Sequence, residues 1–210
     1  MLFRSELKNN FKIVLESVKN YGYALYFASK TLKNNYDIVQ LFSVALDLNE
    51  DNVAMNMFQS YGYKYVEGNP NENKKGINYW HPGYAYACTR RAYEKMKGLF
   101  EVAVLGSGDN IMALSFINKG LKAINELSTN GYKEAISVFQ SSCANLRIGY
   151  VPGVIRHYFH GSKKNRKYTE RWEILIKHNF DPYNHVAFNE LGLMIPSPTC
   201  PKEQIGRAHV

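Results

Sequence analysis

Val39-Gln40-Leu41-Phe42-Ser43-Val44-Ala45-Leu46-Asp47-Leu48 is the stretch on which the fold turns. It is rich in apolar and β-branched residues and reads as a buried strand. A buried helix is the alternative, because a short apolar run has no period that separates the two. Beyond it, Asn69–Gly76 is a polar loop, and Ala85 to Cys88 suggests a strand leading into a helix over Arg90–Lys97 that Gly98 terminates. Asp109 can cap a helix carrying Ile111, Met112, Leu114 and Phe116 that ends near Gly120. Tyr132–Leu146 is a further amphipathic helix, and Tyr150–His160 reads as a strand interrupted by Pro152-Gly153. Tyr168–His178 is a helix stopped by Phe180-Asp181-Pro182. Alternating strands and helices imply an α/β layer architecture.

Upstream the pattern differs. Leu7-Lys8-Asn9-Asn10-Phe11-Lys12-Ile13-Val14 recurs as Leu32-Lys33-Asn34-Asn35-Tyr36-Asp37-Ile38-Val39, with six of eight positions identical. Phe11, Val14, Leu15 and Val18 fall at helical spacing, Asn20-Tyr21-Gly22 closes that helix, and Ala24, Leu25, Phe27 and Ala28 begin another. A unit of this length is a helix pair that buries its face only by stacking on neighbours. The repeat resembles a helical domain-of-unknown-function module found in arrays in giant-virus and protist proteins. That resemblance implies a short all-α repeat at residues 6–38 and a possible protein partner bound through it, but no chemistry.

The chain has 210 residues, room for one large domain or a small module fused to a medium one. Its net charge is +8, and the excess is local. Between Arg147 and Lys177 eight Lys and Arg face only Glu170 and Glu173, which suits a phosphate-bearing partner or simply a solvated basic helix. Cys88, Cys143 and Cys200 lie far apart and fit no metal-ligand spacing, so a reducing, cytoplasmic setting is expected. No apolar run reaches the length of a membrane span. Residues 1–5 and 204–210 read as the translation of a short-read sequencing adapter in its two orientations. The reading frame is therefore expected to be a fragment.

Three segments carry candidate chemistry. The first, Tyr79-Trp80-His81-Pro82-Gly83-Tyr84-Ala85-Tyr86-Ala87, is aromatic and punctuated by glycine. Gly106-Ser107-Gly108-Asp109 puts a carboxylate on a Gly-rich turn. His157-Tyr158-Phe159-His160-Gly161-Ser162 leads into the basic run Lys163, Lys164, Arg166, Lys167 and Arg171. A carboxylate takes the proton from an attacking hydroxyl, glycines let backbone approach a sugar, and arginines grip phosphate bidentately. Trp80, Tyr84 and Tyr86 offer faces for sugar stacking, with core packing the alternative. Asp109 has a plain helix cap as its alternative, and each histidine a structural or solvent-facing role.

In this order the segments resemble the C-terminal half of a GT-A glycosyltransferase, in particular poorly characterised viral and bacterial glycosyltransferase-like proteins and, more faintly, galactosyltransferases. The likeness runs over about residues 39–195. It implies a partial GT-A domain at 39–200 that lacks its N-terminal nucleotide-binding half, since no Asp-x-Asp precedes it. It further implies transfer of a hexose from a nucleotide-diphosphate sugar donor to a glycan or polyol acceptor. Asp109 would be the base, and Trp80, His81, Gly83, Tyr84, Gly106, Gly108, Ser162, Arg166 and Arg171 would bind substrate. Val154-Ile155-Arg156-His157 resembles the strand whose histidine binds a divalent metal, Mn or Mg, so His157 is the implied ligand and His160 its alternative. Three positions apart on one strand, the two face opposite ways and share an ion only if the strand ends between them. The competing reading is a non-catalytic helical-repeat interaction protein with a degenerate transferase-like half. A nucleic-acid binder is set aside because no recognition motif accompanies the basic run.

Overall fold

The computed structural model describes residues 35–68, 80–159, 161 and 168–201. The expected helices at the start of the chain, the loop Asn69–Gly76, His160, Ser162, Arg166 and the terminal segments 1–5 and 204–210 lie outside the described residues.

The stretch Val39–Leu48 is not one strand but two. Strand β1 is Ile38–Gln40 and β2 is Val44–Leu48, with Leu41–Ser43 between them. Later in the chain β6 (Ile148–Tyr150) and β7 (Val154–His157) repeat the break at Val151–Gly153. The two broken strands run parallel in a constant register. Ile38 pairs with Ile148 and Gln40 with Tyr150, then Val44 with Val154 and Asp47 with His157. The ladder is sealed across the bend: the Val151 amide donates to the Gln40 carbonyl at 2.9 Å and the Ser43 amide to the Gly153 carbonyl at 2.9 Å. The Ser43 hydroxyl donates to that same carbonyl at 2.8 Å and accepts from the Gly153 amide at 3.1 Å. Phe42, wholly buried, fills the bend. Burying a Phe ring is worth about 2–3 kcal/mol, which anchors the kink.

The bend distributes the ladder over two mixed sheets. In the first, β1 lies between β6 and β5 (Tyr86–Cys88), to which it is antiparallel. In the second, β2 lies between β7 and its hairpin partner β3 (Ala54–Ser60), and β3 in turn pairs in parallel with β4 (Trp80–His81). The Asn49 side chain makes the hairpin turn, accepting from the amides of Asp51 at 3.0 Å and Val53 at 2.8 Å. Strands β8 (Val186–Phe188) and β9 (Met194–Pro196) form a separate hairpin.

Helix α1 (Tyr61–Glu67) starts where β3 ends, its first turn capped by the Ser60 hydroxyl. Helix α2 (Arg90–Lys95) is capped in the same way by Thr89, and α4 (Asn130–Ser142) by Thr129. Between them lies α3 (Gly108–Phe116), and α5 (Tyr168–Lys177) and the short α6 (Pro182–His185, capped by Asp181) follow. Asp109 does not cap α3: Ser107 occupies that position, and the Asp109 carboxylate accepts from the neighbouring Asn110 amide at 2.8 Å. The main core gathers Ile38, Met96, Phe100, Ile111, Tyr132, Ile136, Phe139, Leu175 and Phe180 between helices and the first sheet. A second cluster joins Tyr61, Trp80, Ala113 and Ile148. The fold is mixed α/β, and no helix among the described residues is long and apolar enough to cross a membrane.

Candidate functional site

The parallel register of β2 and β7 sets Asp47 directly opposite His157, near the carboxyl ends of both strands. Their side chains meet, with His157 Nδ1 at 2.9 Å from Asp47 Oδ1. Facing a carboxylate, Nδ1 is the nitrogen that carries the proton. The same oxygen accepts from the Tyr84 hydroxyl at 2.8 Å, and Asp47 is only 6% exposed. The Tyr84 ring packs at 4.7 Å on His157 and at 5.7 Å, edge-on, on Phe42.

Tyr84 belongs to the loop between β4 and β5. The fully buried Gln40 holds that loop: its amide donates to the carbonyls of His81 at 3.0 Å and Gly83 at 2.8 Å and accepts from the Gly62 amide at 3.0 Å. Within the loop the Gly83 amide donates to His81 Nδ1 at 3.0 Å, so a neutral His81 carries its proton on Nε2. The His81 ring stacks on Tyr84 with centroids 4.1 Å apart and planes within 10°. One face of the Tyr84 ring is therefore covered by imidazole.

Asp109 reaches this loop from α3. A Cβ on Gly83 would lie 2.6 Å from Asp109 Oδ2 and 2.9 Å from His81 Cε1, so the carboxylate and the imidazole both press on one backbone position. The Tyr86 hydroxyl is buried nearby, and burial, with the Asp109 charge adding to it, holds that phenol far above its ordinary value. The turn ahead of α3 has Gly106 at φ 109° and Ser107 at φ 66°, both left-handed. Arg171 of α5 closes the turn: its Nη1 donates to the Leu105 carbonyl at 3.4 Å and lies 3.2 Å from where a Gly106 Cβ would be.

Of the residues singled out from sequence, His81, Gly83, Tyr84 and Asp109 thus come together, His157 joins them through Tyr84, and Gly106 meets Arg171. Gly108 is the first residue of α3, and a Cβ there would find an ordinary contact at 3.4 Å. Trp80 is 4% exposed and packs edge-on at 5.2 Å against Tyr61, which makes it a core residue. His160, Ser162 and Arg166 lie outside the described residues. Two participants went unsuspected. Asp47 is the only charge inside the run Val39–Leu48, and Gln40 is a lone amide in the same run; a polar side chain within an apolar strand was the available signal.

For a divalent cation, no group of three or more His, Cys, Asp or Glu gathers among the described residues. The Asp47–His157 hydrogen bond joins one carboxylate and one imidazole, and with no third such group gathered beside them the described side chains do not make up a ligand set.

Residues 4–42 match the family model described as Domain of unknown function (DUF4116). No curated protein and no solved structure matches the chain. These findings correct the expected GT-A transferase half preceded by a helical repeat. The matched family has no assigned function, and no transferase relative accompanies it. The described end of the matched segment is a turn and the strand β1, paired on both sides in a mixed sheet, rather than helix.

Proposed function

We propose that the site transfers a hexose from a nucleotide-diphosphate sugar to the hydroxyl of a glycan or polyol acceptor, with Asp109 as the base. The observation that carries this reading is the meeting of two carboxylates on one dipeptide. Asp109 Oδ2 abuts Gly83, and Asp47 accepts from the hydroxyl of Tyr84. In the transfer, the acceptor oxygen forms a bond to the anomeric carbon as the bond from that carbon to the phosphate oxygen breaks. Its electron pair leaves on the nucleotide diphosphate, and the hydroxyl proton passes to Asp109. Asp109 suits the role because it is exposed and held by a backbone amide. Arg171, at the foot of the Gly106 turn, is the cation assigned to counter phosphate charge. A divalent cation, Mn or Mg, remains the expected aid to a departing diphosphate. The described residues supply no ligand set for it.

Nucleotide release from UDP-glucose and GDP-mannose, with and without Mn²⁺ and with glycerol as acceptor, tests the reading. Asp109→Asn is expected to lower the rate about 10²- to 10⁴-fold with an unchanged circular dichroism spectrum. A folded variant that keeps the wild-type rate removes Asp109 as the base.

A further inference from the structure

Tyr84 has a backbone φ of 72°, a left-handed conformation that a bulky aromatic residue rarely adopts. Such a conformation costs on the order of 1–3 kcal/mol and persists only where the surroundings over-determine it. Here they do. The hydroxyl is tied to Asp47 at 2.8 Å, one ring face is stacked on His81 at 4.1 Å, and the ring lies against His157 at 4.7 Å. The residue before it is held at its carbonyl by the Gln40 amide and crowded at its Cα by Asp109. A relaxed backbone at this position would turn the ring away from all three partners together. The strain therefore sits where the β4–β5 loop is joined to the β2–β7 ladder.

We propose that Tyr84 is a positioning residue that locks the loop bearing His81 and Gly83 onto the Asp47–His157 pair and so fixes Gly83 against Asp109. This deepens the sugar-transfer reading and rests on it for its catalytic consequence. In that reading one carboxylate faces the acceptor through Asp109, while the other is the anchor that sets where the loop, and hence Gly83 against Asp109, comes to rest. Tyr84 acts on the reaction through these neighbours, one face of its ring being taken up by His81.

Two variants separate positioning from plain packing. Tyr84→Phe keeps the ring and removes only the tie to Asp47. Tyr84→Asn removes the ring but tolerates the left-handed backbone. With UDP-glucose or GDP-mannose as donor, Tyr84→Phe is expected to lower kcat by roughly ten- to a hundredfold with little change in KM, the cost of a small misplacement. Its melting temperature is expected to stay near that of the wild type. Histidine ring signals in NMR of the full chain, assigned with His81→Gln and His157→Gln, give a readout that does not depend on turnover. In Tyr84→Phe the His157 signals are expected to move because the lost hydroxyl shares Asp47 Oδ1 with that ring, and the His81 signals are expected to move because the loop shifts. In Tyr84→Asn the His81 ring is expected to lose the shift caused by stacking. A wild type inactive on every donor removes the sugar-transfer reading, while moving His81 signals would still uphold the lock. Unmoved His81 signals in Tyr84→Phe, or a lower melting temperature with unchanged kcat, would overturn the positioning role.

Discussion

At Gly83 one methyl group is decisive. The position is buried, and an added Cβ would meet the Asp109 carboxylate at 2.6 Å and the His81 ring at 2.9 Å. Atoms do not approach that closely, so either Asp109 or the loop must shift. Gly83→Ala is expected to cost about 1–3 kcal/mol, the usual range for overpacking, and to reduce transfer sharply. Gly108→Ala is the matched control. Its new Cβ would find contacts no closer than 3.4 Å, and alanine favours the helix by up to about 1 kcal/mol. Urea midpoints of the two variants, read beside their rates, separate the cases. From sequence, the aromatic glycine loop and the Gly-Ser-Gly-Asp turn were each legible as candidates, because glycine and acid on turns are local signals. That they touch was not legible. It depends on α3 delivering Asp109 to a loop that precedes it by more than twenty residues, and only the packing of the core decides that.

At the level of elements, the alternation of strands and helices was readable, and so was the interruption at Pro152-Gly153. The break in the partner strand was hidden, because Leu41-Phe42 continues the apolar run straight through the bend. Strand β3 was hidden for a different reason: Met55 (64% exposed) and Met57 (38% exposed) face solvent together with Ala54 and Asn56, so its first half lacks the alternation of an ordinary half-buried strand. Gln40 explains how β1 reaches the site. Its side chain satisfies the Gly62 amide and the carbonyls of His81 and Gly83, linking β1, the start of α1 and the β4–β5 loop. Gln40→Met keeps the length and strands all three groups, each costing about 1–3 kcal/mol when buried and unmade. The variant is expected to lose at least about 3 kcal/mol in urea unfolding, and hydrogen exchange is expected to quicken at the Gly62 amide. A loss below 1 kcal/mol would mean that the loop is held by other contacts.

Across the whole molecule, a buried carboxylate ties the start of the ladder to the rest. Asp37, 3% exposed, accepts from Arg91 Nη2 at 2.7 Å, from Arg147 Nε at 3.0 Å and from the Arg147 amide at 3.0 Å. Its own amide donates to the Arg147 carbonyl, and its carbonyl accepts from Thr89. One residue thus fixes the start of β1 against α2 and against the approach to β6. Arg147, which belongs to the basic stretch that suits a phosphate-bearing partner, is in fact paired with the buried Asp37. The Arg147 hydrogen bond, with further bonds from its backbone and from Arg91, holds the Asp37 carboxyl well below the usual carboxylate range despite the opposing effect of burial. The sign of the consequence follows from linkage. The unfolded chain takes up a proton at the ordinary value of 3.8 while the folded chain still refuses it. The stabilisation is therefore complete above that value and drains away as pH falls from it toward the depressed folded value. Both arginines are largely exposed, which moderates the energy, so Asp37→Asn is expected to cost about 2 kcal/mol at neutral pH. Urea midpoints of wild type and Asp37→Asn measured at pH 7, 5 and 3 give the test. The gap is expected to be equal at pH 7 and 5 and smaller at pH 3, whereas a gap that stays constant down to pH 3 would show that Asp37 contributes through packing and neutral hydrogen bonds alone.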